Sequence, residues 1–577
     1  MRNRQAIHHD TSPANRGARR RPGFFLVLVL IVITVATLAC YSFTELMIAY
    51  DDSAYLTGDI VQARVNTESA TESIKLMLAQ PRDTRIDSGG IYNNAMMFQA
   101  ITVSLGADGL SPSNFSVIAP DLDETGRYGG IRFGLQDESA KLNINALPIL
   151  EQNGGPLMAL IPSSEDEEGA SVDSLAVSLL LALPNMTADV AEAILDWIDE
   201  DDEPREYGAE AEVYNGLPTP YSPANGPLQS VEELLLVQGV TPTLLFGADA
   251  NRNGVLDADE QQRFGVGIET PGALGWAAYL TVHGAEANRR DSGEDRVNVN
   301  SEDLETLYED LSYALGDDLY ASFIVAYRIA GQPPETLDPA TLNAALGIDS
   351  DDGGAIDQDS GGGDAPSGGP AQPWDVEILG GLDLSGGGSN NVGQILDLIG
   401  ATVSIGNGED ATVYESPFAN DPLAMATYMP LLMDALTTQD TYVMPGRINL
   451  NECPAELLYG IPLWEPETVD LILEARAEEI DDPNRRFETW PLTSGLITLE
   501  QMKMLLPLLT GGGDVYKAQV IGYYEGTGAS HRTEVVIDAT TVNPKLVSQR
   551  NLSHLGRGFD LATLGVRSMV APPVPTN

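Results

Sequence analysis

The chain has 577 residues, more than one ordinary hydrophobic core organises, so two to four domains are expected. Its 85 acidic residues against 31 basic ones give a formal net charge of −54. Such a field repels nucleic acid and attracts divalent cations, and adaptation to saline surroundings leaves the same imprint. The two cysteines, Cys40 in an apolar run and Cys453 far along the chain, exclude a disulfide framework.

Residues 1–23 form a basic leader with Arg2, Arg4, Arg16, Arg19, Arg20 and Arg21, ending in Pro22-Gly23. Residues 24–44 follow as an apolar segment opening on Phe24-Phe25. About twenty uncharged residues at roughly 1.5 Å each span about 30 Å, the thickness of a bilayer core. The arginines place the leader on the cytoplasmic side and everything after Glu45 outside. A secretory signal peptide has a shorter core and a small-residue cleavage site beyond it. Here the apolar run is either an ordinary signal anchor or an anchor cut in front, between Gly23 and Phe24.

Residues 45–82 read as a stem helix continuing the span, with Ile60, Ala63, Ala70, Ile74 and Met77 near helical spacing and Pro81 at its end. Residues 83–139 shift to strand-like alternation, as in 97–103 and Ile131-Arg132-Phe133, and are expected to supply the first strands of a sheet. Residues 140–345 are helical in texture. Residues 346–392, with a Gly, Asp and Ser stretch from Asp351 to Gln372, read as a flexible linker. A second helical block covers 393–512. Residues 513–577 return to strands at 516–523 and 531–537, joined through Glu525-Gly526-Thr527-Gly528. The expected fold is α+β: an N-terminal stem helix with a small antiparallel sheet, interrupted by a large α-helical insertion.

A basic-apolar-Asn-apolar-Asn pattern occurs three times, at Lys141–Asn145, Arg296–Asn300 and Arg447–Asn451. A helical segment follows each copy, and the second Asn is placed to cap it. These read as starts of helix-hairpin-helix-like units.

The sharpest local motif runs from Asp249 to Glu260. It matches the twelve-residue calcium loop at every constrained position. Asp249, Asn251 and Asn253 offer side-chain oxygens, Val255 a backbone carbonyl, Asp257 a direct or water-mediated contact, and Glu260 a bidentate carboxylate. Gly254 permits the sharp turn. An all-oxygen set on a flexible loop favours calcium over zinc or magnesium. Gly247 and Gly265 leave room only for short flanking helices, as in a structural site rather than a sensor. A second acidic run, Asp196 to Glu203 with Glu210 beyond it, crowds a helix C-terminus whose dipole opposes it. Arg205 would compensate in part and a metal ion further.

The leader resembles that of type IV pilins and type II secretion pseudopilins, in which a prepilin peptidase cuts after the glycine and the apolar segment is kept. Most such subunits carry glutamate five residues after the cut; here that position is Leu28. Within that family a missing glutamate points to the minor pseudopilin K at the filament tip. The order of motifs, Asp137-Glu138-Ser139-Ala140-Lys141-Leu142-Asn143-Ile144-Asn145 and then the acidic run, resembles type II secretion protein K over most of 20–345 and the Arg447 block. The resemblance implies a pilin-like, single-pass inner-membrane protein with its bulk in the periplasm. Its role would be to assist pseudopilus assembly and protein export across the outer membrane. The implied partners are the other minor pseudopilins and the prepilin peptidase. Calcium in the family's helical domain makes Asp199, Asp201 and Glu210 candidates for a second metal site. The linker and second helical block make this chain longer than a typical member.

None of the five histidines sits in a metalloprotease spacing, and no nucleophile elbow or phosphate loop is present, so no enzyme is expected. Two alternatives stand beside the pseudopilin reading. One is a DNA-binding component of a competence-type pseudopilus, since Gly239 and Gly460 fall in hairpins of a kind that hold phosphate. The hairpins lack flanking Lys or Arg clusters, which argues for packing modules and against a nucleic-acid partner. The other is a membrane-anchored, calcium-binding surface protein.

Overall fold

The computed structural model describes residues 23–105, 112–153, 174–332, 371–406, 411–478, 482–525 and 528–565. The chain divides into two compact units, Met1–Val61 and Gln62–Asn577. The basic leader, up to Pro22, lies outside the described residues. Within the first unit, helix α1 (Gly23–Leu78) begins with the apolar segment, whose side chains are all exposed. Among the described residues it is the one helix long and apolar enough to cross a membrane.

In the second unit the last turns of α1 bury one stripe: Ala63, Asn66, Thr67, Ala70, Thr71, Ile74 and Leu78. Their spacing of three and four residues puts them on one face. That face lies on a sheet built from β1 (Ile101–Leu105), β2 (Pro112–Leu122), β3 (Tyr128–Phe133), β4 (Gln136–Asp137), β5 (Val515–Tyr524), β6 (Ser530–Asp538) and β7 (Lys545–Asn551). The order along the sheet is β1-β2-β5-β6-β7, with β3 also on β2 and β4 also on β5. The pairings are antiparallel, and β2 meets β5 with Phe115 opposite Gly522 and Ile118 opposite Gln519. Strands from the two ends of the second unit thus share one sheet, and everything between β4 and β5 is inserted. Phe115, Val117, Val520, Val535 and Ile537 close the core beneath Ala70 and Ile74. Gly522 lets the helix come close: a Cβ there would lie 2.0 Å from the Ala63 carbonyl oxygen.

The insertion has its own, larger core, with Trp276, Trp490, Phe323 and Phe418 fully buried. All three repeat copies start a unit that ends in Leu-Thr, and in each the two ends pair in parallel. Leu142-Asn143 pairs with Leu280-Thr281, Val297-Asn298 with Leu436-Thr437, and Ile448-Asn449 with Leu509-Thr510. The capping role expected of the second Asn is corrected. The first Asn accepts from the backbone N–H of the second, as Asn143 does from Asn145, Asn298 from Asn300 and Asn449 from Asn451. The second Asn then clasps distant backbone. Asn145 exchanges two hydrogen bonds with Leu228, and Asn300 does the same with Val392. Asn451 donates to the Arg485 and Gly511 carbonyls and accepts from the Trp490 indole. These contacts complete buried backbone groups that short two-residue pairings leave unpaired.

Three further expectations are corrected. Met97 and Phe98 belong to a helical turn, Ala95–Phe98, capped by Asn94, and strand β1 starts only at Ile101. Residues 346–370 of the expected linker, and 333–345 of the helical block before it, lie outside the described residues, but the end of the linker is structured. Trp374 is buried, its indole N–H donates to Ser322 Oγ at 3.0 Å, and its ring meets Phe323 edge-on. One aromatic anchor of that size outweighs the local Gly and Asp content. Finally, the second block is not purely helical. Thr402–Ile405 and Thr412–Glu415 form a hairpin within a four-stranded sheet that also takes Gly331–Gln332 and Gln372–Pro373. Both cysteines are free, Cys40 exposed and Cys453 buried.

Candidate metal centres in the helical insertion

The 249–260 loop is held between two short helices, α3 (Pro242–Phe246) and α4 (Ala258–Phe264). Asp249 turns its carboxylate back into the loop, accepting from the backbone N–H of Asn253 at 3.1 Å and of Gly254 at 2.9 Å. Gly254 has φ +84°, a left-handed conformation natural only to glycine. The buried Glu260 closes the loop. Its two oxygens accept from Asn251 N at 3.0 Å and Asp257 N at 3.1 Å, the second forming a capping box with Asp257 at the start of α4. Asn253 Oδ1 accepts from Val255 N, fixing the turn that carries the Val255 peptide. Every candidate ligand therefore lies in one closed turn.

The amides report on what the turn is suited to hold. Asn251 and Asn253 both aim Nδ2 at Asp257 Oδ2, at 2.6 and 3.0 Å, while the buried Asn251 Oδ1 has no partner. The two ends of an amide exchange by rotation. Turning Asn251 over places its oxygen against the Asp257 carboxylate, an arrangement made favourable by a cation between them. Burial, reinforced by the Glu260 charge, pushes the Asp249 carboxyl up to about 6, against backbone hydrogen bonds from Gly254 and Asn253 that favour its ionised form. A dication here would supply the missing counter-charge, and an all-oxygen donor set of this kind fits calcium.

The second centre forms where α2 (Ala188–Ile198) ends. Val190, Ile194 and Trp197 bury its apolar face, which fixes Asp196 and Asp199 at its C-terminus. The fully buried Asp196 is paired with Arg205, whose Nη1 lies 2.7 Å from Asp196 Oδ1 and 2.6 Å from Asp199 Oδ2. Arg205 is thus the compensating cation expected from the sequence, but it does not reach everything. Oxygens of Asp199, Asp201 and Glu210 lie within 4.8 Å of one another. Glu210 is 4 % exposed, and neither of its carboxylate oxygens has a hydrogen-bond partner, nor has Asp199 Oδ1. Burial together with Asp196 and Asp199 pushes the Glu210 carboxyl up to about 7. Unpaired buried carboxylate oxygens are costly, and a hard cation satisfies several at once. Asn225 packs beside this cluster. Its amide donates to the Asp201 carbonyl and the Asp202 carboxylate, and its Oδ1 is buried without a partner. Its place in a Pro-Ala-Asn-Gly-Pro turn gave no sequence signal for this role. Also missed were Gln519 and Arg532, which brace the 249–260 loop from the sheet.

Residues 140–246 match the family described as Type II secretion system (T2SS), protein K. A protein of that name from Klebsiella pneumoniae is 32% identical over 142 residues, which is 24% of this chain and 41% of the relative. Its counterpart from Pectobacterium carotovorum subsp. carotovorum is 42% identical over 55 residues, 10% of this chain and 17% of the relative. The chain thus spans less than half the length of the curated relatives it matches. Among solved structures, the GspK-GspI-GspJ complex from the enterotoxigenic Escherichia coli Type 2 Secretion System aligns at 12% identity with a TM-score of 0.27. That alignment covers 87% of this chain and 98% of the other, a likeness too slight to argue from. Asp199, Asp201 and Glu210 all lie inside residues 140–246, the part of the insertion that matches the type II secretion system protein K family.

Proposed function

We propose that this chain is a minor pseudopilin at the tip of a type II secretion pseudopilus, assisting assembly and protein export by binding rather than by catalysis. The observation that carries this reading is a protein K domain inserted into a sheet, on a chain that also bears one membrane-length helix. A leader cut between Gly23 and Phe24 by a prepilin peptidase, an inner-membrane anchor and a periplasmic bulk follow from the same reading. So does the tip position. Leu28 removes the carboxylate that would otherwise seek a neighbour's amine within the bilayer, where an unpaired charge is expensive.

The partners are the other minor pseudopilins, docked along the stem. Tyr50, Tyr55, Leu56 and Ile60 are exposed on different faces of α1 outside the span, apolar side chains open to more than one neighbouring helix. Calcium occupies Asp249, Asn251, Asn253, Val255, Asp257 and Glu260 in one centre, and Asp199, Asp201 and Glu210 in the other. The repeat units act as helix-hairpin-helix packing modules that hold both centres in place. The test is capture of the detergent-solubilised full chain with the pseudopilins encoded beside it. Stable binding to two of them is expected. Binding to none, or retention on duplex DNA at moderate salt in their absence, overturns the reading.

A further inference from the structure

The 249–260 loop touches three pieces of the C-terminal part of the chain, on β5, on β6 and beside them, and also β2. Arg532, on β6, is fully buried and donates to the backbone carbonyls of Asn251, at 2.9 Å, and Arg252. Gln519, on β5, donates to the same Arg252 carbonyl at 2.7 Å and accepts from Arg532 Nε at 2.9 Å. Asn253 donates to the Gly558 carbonyl at 2.9 Å, and Gly558 lies flat on the guanidinium, a Cβ there falling 2.5 Å from Arg532 Nη1. On the other side, Gly254 sits on Pro120 of β2, with a Cβ at that position only 2.7 Å from the proline ring. Phe559 covers the guanidinium, 5.7 Å from its ring centre.

Arg252 makes the geometry specific. It adopts φ +55°, uncommon for a residue with a side chain, and that conformation is what turns its carbonyl out of the loop toward Gln519 and Arg532. The third and fourth positions of a calcium loop give no backbone carbonyl to the ion. Here both carbonyls are spent on the sheet. The sheet is therefore held by the backbone carbonyls of Asn251 and Arg252, which ion ligation leaves free.

We propose that the 249–260 loop is a calcium-operated clasp that fastens the inserted helical block to the C-terminal strands, with Arg532 and Gln519 as its catch on the sheet. The proposal rests on the calcium reading of this loop and adds what the ion is for. With calcium the turn is closed and its outer carbonyls are held at the catch. Without it, three clustered carboxylates repel and the catch loses its partners. Linkage makes the effect reciprocal: whatever calcium adds to the sheet contact, the sheet contact adds to calcium affinity.

The test has two arms on the full chain in detergent micelles. Hydrogen exchange is followed with and without calcium in the wild type, and calcium affinity is measured by titration calorimetry in wild type, Arg532→Met and Gln519→Met. Calcium is expected to slow exchange across 515–538 and around Gly558, remote in sequence from the loop. Arg532→Met is expected to lower affinity by about tenfold even though it removes a nearby positive charge, which by Coulomb repulsion alone would raise it. Gln519→Met, which leaves the charge in place, is expected to change affinity in the same direction and less. Calcium binding with no slowing in the strands, or with equal or tighter binding by Arg532→Met, overturns the clasp and leaves the metal site standing. Absence of calcium binding in the wild type overturns both. If Arg532→Met does not fold, the wild-type exchange and Gln519→Met decide.

Discussion

Replacing Glu260 by glutamine separates the loop's own hydrogen bonds from the ion it is proposed to hold. The carboxylate is 6 % exposed and accepts one backbone N–H on each oxygen, from Asn251 and from Asp257. Glutamine keeps one acceptor and turns an N–H₂ toward the other donor. One buried N–H is left unpaired, which costs about 1–3 kcal/mol with no metal present. Calcium adds a second effect. An ion bound only by the folded state stabilises it by about 2.7 kcal/mol at one hundred times its Kd, and a loop without its bidentate ligand forfeits most of this. Wild type and Glu260→Gln should therefore differ by about 1–3 kcal/mol in chelator and by about 4–6 kcal/mol in calcium. Urea unfolding of the full chain in micelles reads both gaps, with the exposed neighbour change Asp259→Asn as a control that should move neither. A gap that is the same in chelator and in calcium refutes calcium ligation by Glu260.

At the second centre, the raised Glu210 carboxyl means that protons and cation compete. Calcium affinity there should fall as pH drops below about 7, and Glu210→Gln should abolish that dependence, read by calcium titration at pH 6 and 8. In chelator the sign for stability is opposite. The folded state holds the proton up to about 7 and the unfolded chain only to about 4.3. Stability should therefore decline as pH rises between these values, and the decline should flatten in Glu210→Gln. Asn451→Ala strands the buried Trp490 indole N–H and two carbonyls and should destabilise by about 2–4 kcal/mol, seen in the denaturation midpoint by tryptophan fluorescence. A loss below 0.5 kcal/mol, on the order of a surface change, would contradict the clasp role assigned to the repeat. Co-expression with a prepilin peptidase should give a mature amino terminus at Phe24 by mass spectrometry, and Gly23→Val should leave the leader on.

Local chemistry was readable in the sequence wherever its cause is local. The apolar run announces a long helix, the alternation at 516–523 and 531–537 lies within the strands found there, and the 249–260 spacing brings its residues into one closed turn. The triple Asn motif could be seen, but not what it does. Its partners, Leu228, Val392 and Trp490, are fixed by the packing of whole units, and no periodicity connects them to the motif. Strand β7 went unread because its sequence, Lys545–Asn551, is mostly polar; it is a sheet edge exposed to solvent. Trp374 was hidden by the Gly-rich composition before it. For the two centres, carboxylates were legible and their supports were not. Asn225, Gln519 and Arg532 act through contacts that only the assembled sheet and insertion create.

Because the sheet is divided by its insertion, its two halves are made far apart in time during synthesis. Asn114 of β2 hydrogen-bonds Glu525, just past β5 and 411 residues away, so the strand that completes the sheet is among the last to be made. Until then β2, with seven consecutive buried positions in the finished sheet, waits without its central partner, a state prone to mispairing. Entropy alone does not make the wait prohibitive, since doubling a loop adds only about 0.6 kcal/mol to its closure. What shortens it is the self-closure of each repeat unit. By joining Leu142 to Leu280, Val297 to Leu436 and Ile448 to Leu509, the insertion brings its own ends together before the last strands arrive. The late hairpin then has to reach β2 across a closed insertion rather than across a random coil.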